Sequence, residues 1–369
     1  MWQGVGYLYI RPRIEIGAIK KPAHGGPNYE ELLALGIDMQ YVLDFSVCVN
    51  PYMPEKSVWE YLQVAAMAEY PDSYSGKLCR ELAKKHGVAE GRVFAGSGST
   101  EIIRLLAQAY LSKDDNVLIL EPTFDEYEIS AQIMGAMVTR YRLAEEDGFM
   151  PNLEEICCYI RNKKPRAVFI CNPNNPTGVY FPASVISQIL EAAEHSMLIL
   201  DEAYISFVKD PWPVNEIIDS GNVAVVRSMT KNYGLPGMRL GYLLGHQEVI
   251  NNVRAVCPPW NVNTMAQQIG LCLLAEDETL EKSLEKTKAA SNYLKEALTS
   301  KGLPVMASGT HYFLVKVGRA QYFREELLKK GILVRDCASF GLPEYLRISP
   351  RTMAECIKFI RLFSEVLGN

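Results

Sequence analysis

Short apolar runs alternate with amphipathic stretches through the middle of the chain. The apolar runs predict strands at Asn116–Leu120, Ala136–Tyr141, Ala167–Cys171, Met197–Asp201, Val223–Arg227 and Leu240–Leu244. Stretches with helical periodicity lie between them, among them Glu101–Leu111 and Pro182–Ala193. This alternation predicts an α/β fold with a mainly parallel central sheet and helices on both faces. Ligands bind beyond the carboxyl ends of such strands, so the residues that follow each strand are the first candidates for chemistry.

The last third of the chain has a different pattern. Asp277–Lys301 is a long, charged helical stretch, and helices are also predicted near Ala320–Lys330 and Thr352–Leu367. Short strands are predicted at Leu303–Met306, Tyr312–Val317 and Ile332–Arg335. We therefore expect an N-terminal segment (1–45) that packs with the small domain or a partner subunit, a large domain (46–280) and a small C-terminal α+β domain (281–369).

Composition narrows the class of protein. The 369 residues are 48% hydrophobic and 22% charged, as in ordinary soluble globular proteins, and the net charge of -5 disfavours nucleic acid as a partner. The nine cysteines include no CxxC pair and the five histidines show no metal-ligand spacing, so we expect reduced thiols and no metal. Arg11, Arg13 and Glu15 interrupt the apolar N-terminus, which disfavours a secretory signal. The two long charge-free stretches, Ala167–Leu190 and Ala255–Ala275, contain Pro and Asn and do not suit a membrane span. We expect a cytoplasmic protein.

A lysine follows the strand at 223–227. Lys231 lies in a loop with two hydroxyl residues, two glycines and a proline, and Arg239 follows eight residues later. A lysine in this position can form a Schiff base with a carbonyl cofactor, and Ser228 and Arg239 can bind a phosphate. Taken alone, Lys231 fits an ordinary loop lysine better than a cofactor-binding one; the hydroxyls and Arg239 reverse that preference and favour the cofactor.

Two further strands end in polar side chains. Asp201 ends an apolar run and can pair with a protonated ring nitrogen, although an aspartate here can also cap a helix. Tyr204, three residues later, can donate to a phenolate-type oxygen. Residues 172–178, NPNNPTG, form a turn that the two Asn-Pro steps keep out of helix, and this turn can aim the Asn175 amide at a ring oxygen.

A possible anion site opens another helix. Residues 96–101, GSGSTE, place Ser99 and Thr100 at a helix start, where free backbone N–H groups attract anions. The third glycine of a dinucleotide fingerprint is missing, which disfavours that interpretation. Phe124 can stack on a planar ring or belong to the core.

Together these motifs resemble the pyridoxal-phosphate enzymes of the class I/II aminotransferase superfamily, fold type I, over roughly residues 24–367. The resemblance implies pyridoxal 5'-phosphate as cofactor, with Lys231 as the catalytic Schiff-base lysine and Asp201 and Tyr204 beside it. It also implies that the cofactor is bound by Ser99, Thr100, Phe124, Asn175, Asp201, Tyr204, Ser228, Lys231 and Arg239. Tyr70 matches a tyrosine that reaches the phosphate site of a neighbouring subunit, which implies a homodimer with shared active sites. Arg347 matches the arginine that binds the substrate carboxylate.

Two subfamilies are most similar: threonine-phosphate decarboxylases and histidinol-phosphate aminotransferases. The decarboxylases are favoured by His24-Gly25-Gly26, by the Pro-Gly within Leu235–Arg239, and by residues 259–263 and 335–340. Residues 339–341, SFG, and about twenty residues ahead of His24 depart from the pattern. Arg335 and His24 are candidates for further contacts to the substrate.

From this resemblance we expect decarboxylation of a small O-phosphorylated amino acid, threonine phosphate or serine phosphate, in cobamide biosynthesis. The alternative is an aminotransferase of the histidinol-phosphate type. A remote alternative is a non-catalytic module that binds pyridoxal phosphate.

Overall fold

A seven-stranded sheet forms the centre of the computed structural model, which describes residues 12–17, 19, 25–52, 54, 60, 62 and 68–368. Its strands are β2 (Val93–Gly96), β3 (Asn116–Glu121), β4 (Met137–Arg142), β5 (Ala167–Cys171), β6 (Met197–Asp201), β7 (Val223–Ser228) and β8 (Gly241–Gly245). They lie in the order β2-β8-β7-β6-β5-β3-β4. Neighbours from β7 to β4 are parallel, whereas β8 runs antiparallel to both β7 and β2. The predicted mainly parallel sheet is confirmed; the sequence analysis missed only the short strand β2.

Helices cover both faces of this sheet. They include α3 (Gly76–His86), α4 (Ser99–Tyr110), α5 (Glu126–Ile133), α6 (Leu153–Lys163), α7 (Ala183–Ala192), α8 (Met229–Asn232), α9 (Gln247–Val256) and α10 (Thr264–Leu273). Alternate residues of each strand enter opposite apolar cores: in β6, Leu198 and Leu200 pack into one core, and Met197 and Ile199 into the other. Within the described part of the chain, no helix is both long and apolar enough for a bilayer.

The C-terminal third packs around a smaller sheet. The elements are α11 (Asp277–Thr299), β9 (Phe313–Lys316), α12 (Ala320–Lys329), β10 (Ile332–Leu333), β11 (Arg335–Cys337), β12 (Leu342–Ile348) and α13 (Met353–Leu367). Strands β11, β12 and β9 form an antiparallel sheet in that order. Short 3-10 helices occur at Met39–Tyr41, Glu90–Arg92, Ile205–Phe207, Val214–Glu216, Pro236–Met238 and Ala338–Phe340.

One strand prediction in this region is wrong. Leu303–Met306 forms no strand, and only Val305 makes an isolated bridge, to Val315. Pro304 has no backbone N–H to donate to a ladder, which limits pairing at this edge. The predicted strand Ile332–Arg335 is divided between β10 and β11, which belong to different sheets.

The chain before the large sheet contacts the C-terminal elements. It contains α1 (Ile14–Gly17), α2 (Tyr29–Ala34) and β1 (Leu43–Asp44), and β1 pairs in parallel with β10. Both terminal nitrogens of Arg324 donate to Glu31, at 2.7 and 2.6 Å. Farther upstream, Arg13 donates to the carbonyl of Ile133, at the end of α5, at 2.8 Å. Residues 28–45 therefore pack against α12 and β10, while residue 13 contacts the large sheet's helices.

Phe359 tests the core of the C-terminal third. Its ring is fully buried and lies 4.6 Å from that of Phe45 and 5.5 Å from that of Phe363, measured between centroids. We expect Phe359→Ala to lower the free energy of unfolding by about 3–5 kcal/mol, because a large buried ring leaves a cavity. Urea denaturation measures the loss. The matched control is Ile357→Ala on the same helix, where the side chain is 53% exposed and a change within about 0.5 kcal/mol is expected. Equal losses in the two variants would contradict this prediction.

Candidate active site

A cavity of about 130 Å³ lies at the carboxyl ends of β5, β6 and β7. Nine residues predicted from the sequence line it: Ser99, Thr100, Phe124, Asn175, Asp201, Tyr204, Ser228, Lys231 and Arg239. They come from separate stretches of the chain and converge because parallel neighbouring strands end at one edge of a sheet. We call this space the cofactor cavity.

Asp201 lies on one side of the cofactor cavity as a buried carboxylate, 3% exposed. Its Oδ2 accepts a hydrogen bond from the Tyr127 hydroxyl at 2.8 Å, and its Oδ1 accepts one from the Ala203 N–H at 3.0 Å. Burial raises the pKa of Asp201, while these two hydrogen bonds and Lys231 act in the opposite direction. A cationic ring nitrogen placed here would stabilise the carboxylate further.

Lys231 enters the same cavity from α8, which begins directly after β7. Its Nζ lies 5.9 Å from the centroid of the Tyr204 ring. Burial lowers the pKa of Lys231, and the positive charges of Arg347 and Arg239 act in the same direction. A larger fraction of the amine is therefore neutral, and the neutral amine is the form that attacks a carbonyl carbon.

An anion-binding end is formed by the start of α4, Ser228 and Arg239. Gly98 precedes the helix with φ +83° and provides no side-chain cap to the N–H groups of the first turn. A Cβ at Gly98 would lie 2.6 Å from Arg239 Nη2 and would displace the guanidinium, and the positive φ also favours glycine here. Backbone N–H groups, hydroxyls and a guanidinium are the donors that suit a phosphate.

The turn after β5 is fixed by its own side chains. The Asn174 amide donates to the carbonyl of Pro122 at 2.8 Å and accepts from the Thr123 hydroxyl at 2.9 Å. Asn172 donates to the carbonyl of Phe181 and accepts from its N–H. Asn175 is thereby held at the wall of the cofactor cavity.

Two arginines lie on adjacent strands of the small sheet. Arg335 of β11 and Arg347 of β12 are register partners, and both are buried. Arg347 donates to the side-chain oxygen of Asn175 and, at 2.5 Å, to the carbonyl of Ser46, while its Nε has no partner. Arg335 donates to the Ser339 hydroxyl at 2.7 Å. Burial lowers the pKa of Arg335, and the charge of Arg347 adds to that effect, so this pair favours an anion between or beside them.

Arg335, Arg347 and Tyr70 are not among the described residues that line the cofactor cavity. Tyr70 is 79% exposed and its ring stacks on Trp260 at 4.3 Å between centroids. His24 lies outside the described residues. The next residue, Gly25, is near Arg347, since a Cβ there would lie 3.3 Å from Arg347 Nη2.

The sequence analysis missed Tyr127 and Ser46. Tyr127 is fully buried, and Phe124 contacts it edge-on at 5.7 Å between centroids. Tyr127 lies three residues after Phe124, at the start of a helix, and residues at this spacing share one face of a helix. This spacing is the signal that could have indicated Tyr127 as a site residue. Ser46 contributes a backbone carbonyl to Arg347, and no sequence pattern reports such a contact.

The cofactor cavity fits pyridoxal 5'-phosphate. A buried carboxylate, a lysine with a lowered pKa and a set of donors that suit a phosphate surround one space. The fold and these residues define a pyridoxal-phosphate enzyme of fold type I.

Comparison with known proteins places the chain in a family. The model of the aminotransferase class I and II family matches residues 42–362. The histidinol-phosphate aminotransferase of Moorella thermoacetica is 32% identical, over 96% of this chain and 93% of its own. The chain belongs to the aminotransferase class I and II family, and its cofactor is pyridoxal 5'-phosphate.

Two solved structures extend this comparison. The histidinol-phosphate aminotransferase from Clostridium acetobutylicum superposes with a TM-score of 0.82 at 28% identity, covering 89% of this chain and 100% of its own. The L-threonine-O-3-phosphate decarboxylase from Porphyromonas gingivalis superposes with a TM-score of 0.78 at 26% identity, covering 88% and 99%. Both subfamilies that the sequence resembles are therefore found among the structural relatives.

The Tyr127–Asp201 hydrogen bond generates a first prediction. We expect Tyr127→Phe to weaken binding of pyridoxal 5'-phosphate about 10–100-fold, because a hydrogen bond to a charged group contributes about 1.5–3 kcal/mol. Equilibrium dialysis against the cofactor measures the change. Tyr159→Phe is the control, since that hydroxyl contacts Asn116 and Thr139 instead. The prediction is wrong if the two variants bind the cofactor equally well.

The lowered pKa of Lys231 generates a second prediction. Covalent capture of pyridoxal 5'-phosphate by the apoprotein requires the neutral amine, so its rate rises with pH. The half-maximal rate should fall below pH 10.5, the ordinary pKa of a lysine, because burial disfavours the charged form. Stopped-flow absorbance over a pH series measures the midpoint, with an exposed lysine derivative as reference. A midpoint at or above that of the reference would contradict the assignment.

Proposed function

We propose that this protein is an aminotransferase that acts on a small phosphorylated amino compound of the histidinol-phosphate type. The observation that carries the proposal is the pair of buried arginines, Arg335 and Arg347, beside the cofactor cavity. Curated relatives at 29–34% identity are histidinol-phosphate aminotransferases, which supports the same choice. This reverses the order of the two activities expected from the sequence motifs.

The residues of the cofactor cavity have distinct tasks in this proposal. Pyridoxal 5'-phosphate supplies an electron sink for the bond that breaks at the substrate α-carbon. Lys231 would hold the cofactor covalently and would move the α-proton, and Asp201 would keep the ring nitrogen charged. Tyr204 and Asn175 would contact the ring oxygen, and Phe124 would stack on the ring. Ser99, Thr100, Ser228 and Arg239 would bind the cofactor phosphate.

The two arginines select the substrate. Arg347 has an unpartnered Nε and lies between Asn175 and Ser46, a position from which it can bind a carboxylate or phosphate oxygen. Arg335 offers a second positive charge on the adjacent strand. An aminotransferase must accept two substrates in turn, here a phosphorylated amine that donates the amino group and a dicarboxylate keto acid that accepts it, and two cationic groups suit both.

Decarboxylation of threonine phosphate or serine phosphate, as in cobamide biosynthesis, is the second candidate. The Arg335–Ser339 hydrogen bond lies within residues 335–340, a stretch that resembles the decarboxylases. The Porphyromonas gingivalis decarboxylase is also a structural relative. The two reactions differ in which bond of the α-carbon stands perpendicular to the cofactor ring, and the arginines set that angle through the anionic groups they bind. Displacements of about 1 Å are enough to change such rates 10²-fold.

We also propose a homodimer with shared active sites. Tyr70 and Trp260 form a stacked aromatic pair that is largely exposed on the single chain, at 79% and 44%. An exposed aromatic pair of this kind is typical of an interface. In the dimer, Tyr70 would reach the cofactor phosphate of the partner subunit.

The pair of assays that separates the two activities is a direct test. We expect glutamate to form when the holoenzyme receives histidinol phosphate and 2-oxoglutarate, and Lys231→Ala to abolish it. Release of CO2 from threonine phosphate without a keto acid would select the decarboxylase instead. A protein that binds the cofactor and turns over neither substrate would favour the non-catalytic module.

Arg335 should control recognition of the phosphate. We expect Arg335→Gln to raise KM for the phosphorylated substrate about 10–100-fold, since hydrogen bonds between charged groups are lost. Arg361→Gln, at an exposed position of α13, is the control and should leave KM unchanged. An unchanged KM in Arg335→Gln would remove this residue from the substrate site.

A further inference from the structure

A second cavity, of about 380 Å³, lies outside the site described above. It is bounded by the 3-10 helix Ile205–Phe207 and the residues after it, by one face of α11, and by residues 308–311. Its volume is within the range of about 300–1,000 Å³ that small-molecule sites occupy. The family match and the proposed reaction assign no task to it.

Positive charge dominates its lining. Lys209, Lys288 and Lys295 line the cavity, and Glu285 is the one carboxylate among the described lining residues. Lys288 and Lys295 are seven positions apart on α11 and so point from the same face. Burial lowers the pKa of Lys295, and the charge of Lys288 lowers it further. Within the described chain, none of the three lysines forms a salt bridge. We call this space the lysine cavity.

Neutral donors and apolar surface complete the lining. Asn292 and Thr310 contribute an amide and a hydroxyl, and Phe207 and Leu284 contribute apolar surface. Three lysines suit a ligand with more than one negative charge, and a phosphate monoester carries about −1.5 to −2 at pH 7. The apolar surface suits a carbon skeleton attached to that phosphate.

Aromatic contacts connect the lining of the lysine cavity with Tyr204 of the cofactor cavity. The His311 ring stacks on Phe207 at 3.7 Å and lies 6.1 Å from the Tyr204 ring, measured between centroids. His311 is 3% exposed, its Nδ1 lies 3.2 Å from the Thr310 hydroxyl, and its Nε2 has no partner in the described structure. Tyr204 directly precedes the 3-10 helix Ile205–Phe207, and Phe207 is the last residue of that helix. A shift of Phe207 is therefore transmitted to Tyr204 through three residues of backbone.

We propose that the lysine cavity is an effector site for a small organic phosphate. The ligand binds through Lys288, Lys295 and Lys209, with its carbon skeleton on Phe207. Its presence alters the contact between Phe207 and His311 and thereby the surroundings of Tyr204. This site is separate from the arginine pair, so it stands whether the enzyme transaminates or decarboxylates.

Calorimetric titration of the holoenzyme with phenyl phosphate tests the binding. The Arg335→Gln variant lacks one arginine of the proposed substrate site. We expect this variant still to bind phenyl phosphate saturably in the lysine cavity. Adding Lys288→Gln and Lys295→Gln to this background should weaken binding about 10-fold or more, because hydrogen bonds to charged groups are lost. Lys282→Gln is the control on the same helix, since that lysine pairs with Glu278 on the exposed surface.

Three results would overturn the effector site. One is binding that Arg335→Gln abolishes, because the phosphate would then occupy the substrate site. Another is binding that the two lysine substitutions leave unchanged. The third concerns the visible absorption band of the bound cofactor. We expect phenyl phosphate to shift the pH midpoint of that band in the Arg335→Gln holoenzyme but not in the triple variant. An unmoved midpoint in both would show that the cavity does not communicate with Tyr204.

Discussion

The buried carboxylate of Asp201 is the constraint on which the active site depends. A charge at the centre of a sheet edge is costly unless hydrogen bonds and opposite charge compensate for burial. Here the Tyr127 hydroxyl and the Ala203 N–H supply two hydrogen bonds, and Lys231 supplies positive charge nearby. Burial still raises the pKa of Asp201, and a cationic ring nitrogen of the cofactor, if bound beside it, would favour the carboxylate.

The site is assembled from two parts of the fold. The large sheet provides the cofactor cavity, because β5, β6 and β7 end side by side. The small antiparallel sheet provides Arg335 and Arg347. The hydrogen bonds from Arg347 to Asn175 and to Ser46 connect the two parts and also use a residue that precedes the large sheet. A substrate that binds Arg347 therefore contacts a residue whose position both parts determine.

The proposed arrangement is compatible with different reactions on one cofactor. The residues that line the cofactor cavity would suit either outcome, because pyridoxal phosphate would supply an electron sink whichever bond of the α-carbon breaks. The choice lies with the groups that hold the anionic ends of the substrate. In the proposed site those groups are two arginines on a separate sheet, so small shifts in how that sheet packs would change which bond is aligned.

The amino-acid sequence determined the sheet and most of the cofactor cavity, since alternating apolar runs predict parallel strands and polar residues at their ends must converge. It did not predict β12, whose Pro343 and Glu344 obscure the strand pattern around Arg347. Nor did it reveal that Tyr127 meets Asp201 across 74 positions, or that Ser46 meets Arg347 across 301. Local patterns report the neighbours of a residue along the chain. Contacts between distant residues depend on how sheets and helices pack, and only the tertiary structure decided them.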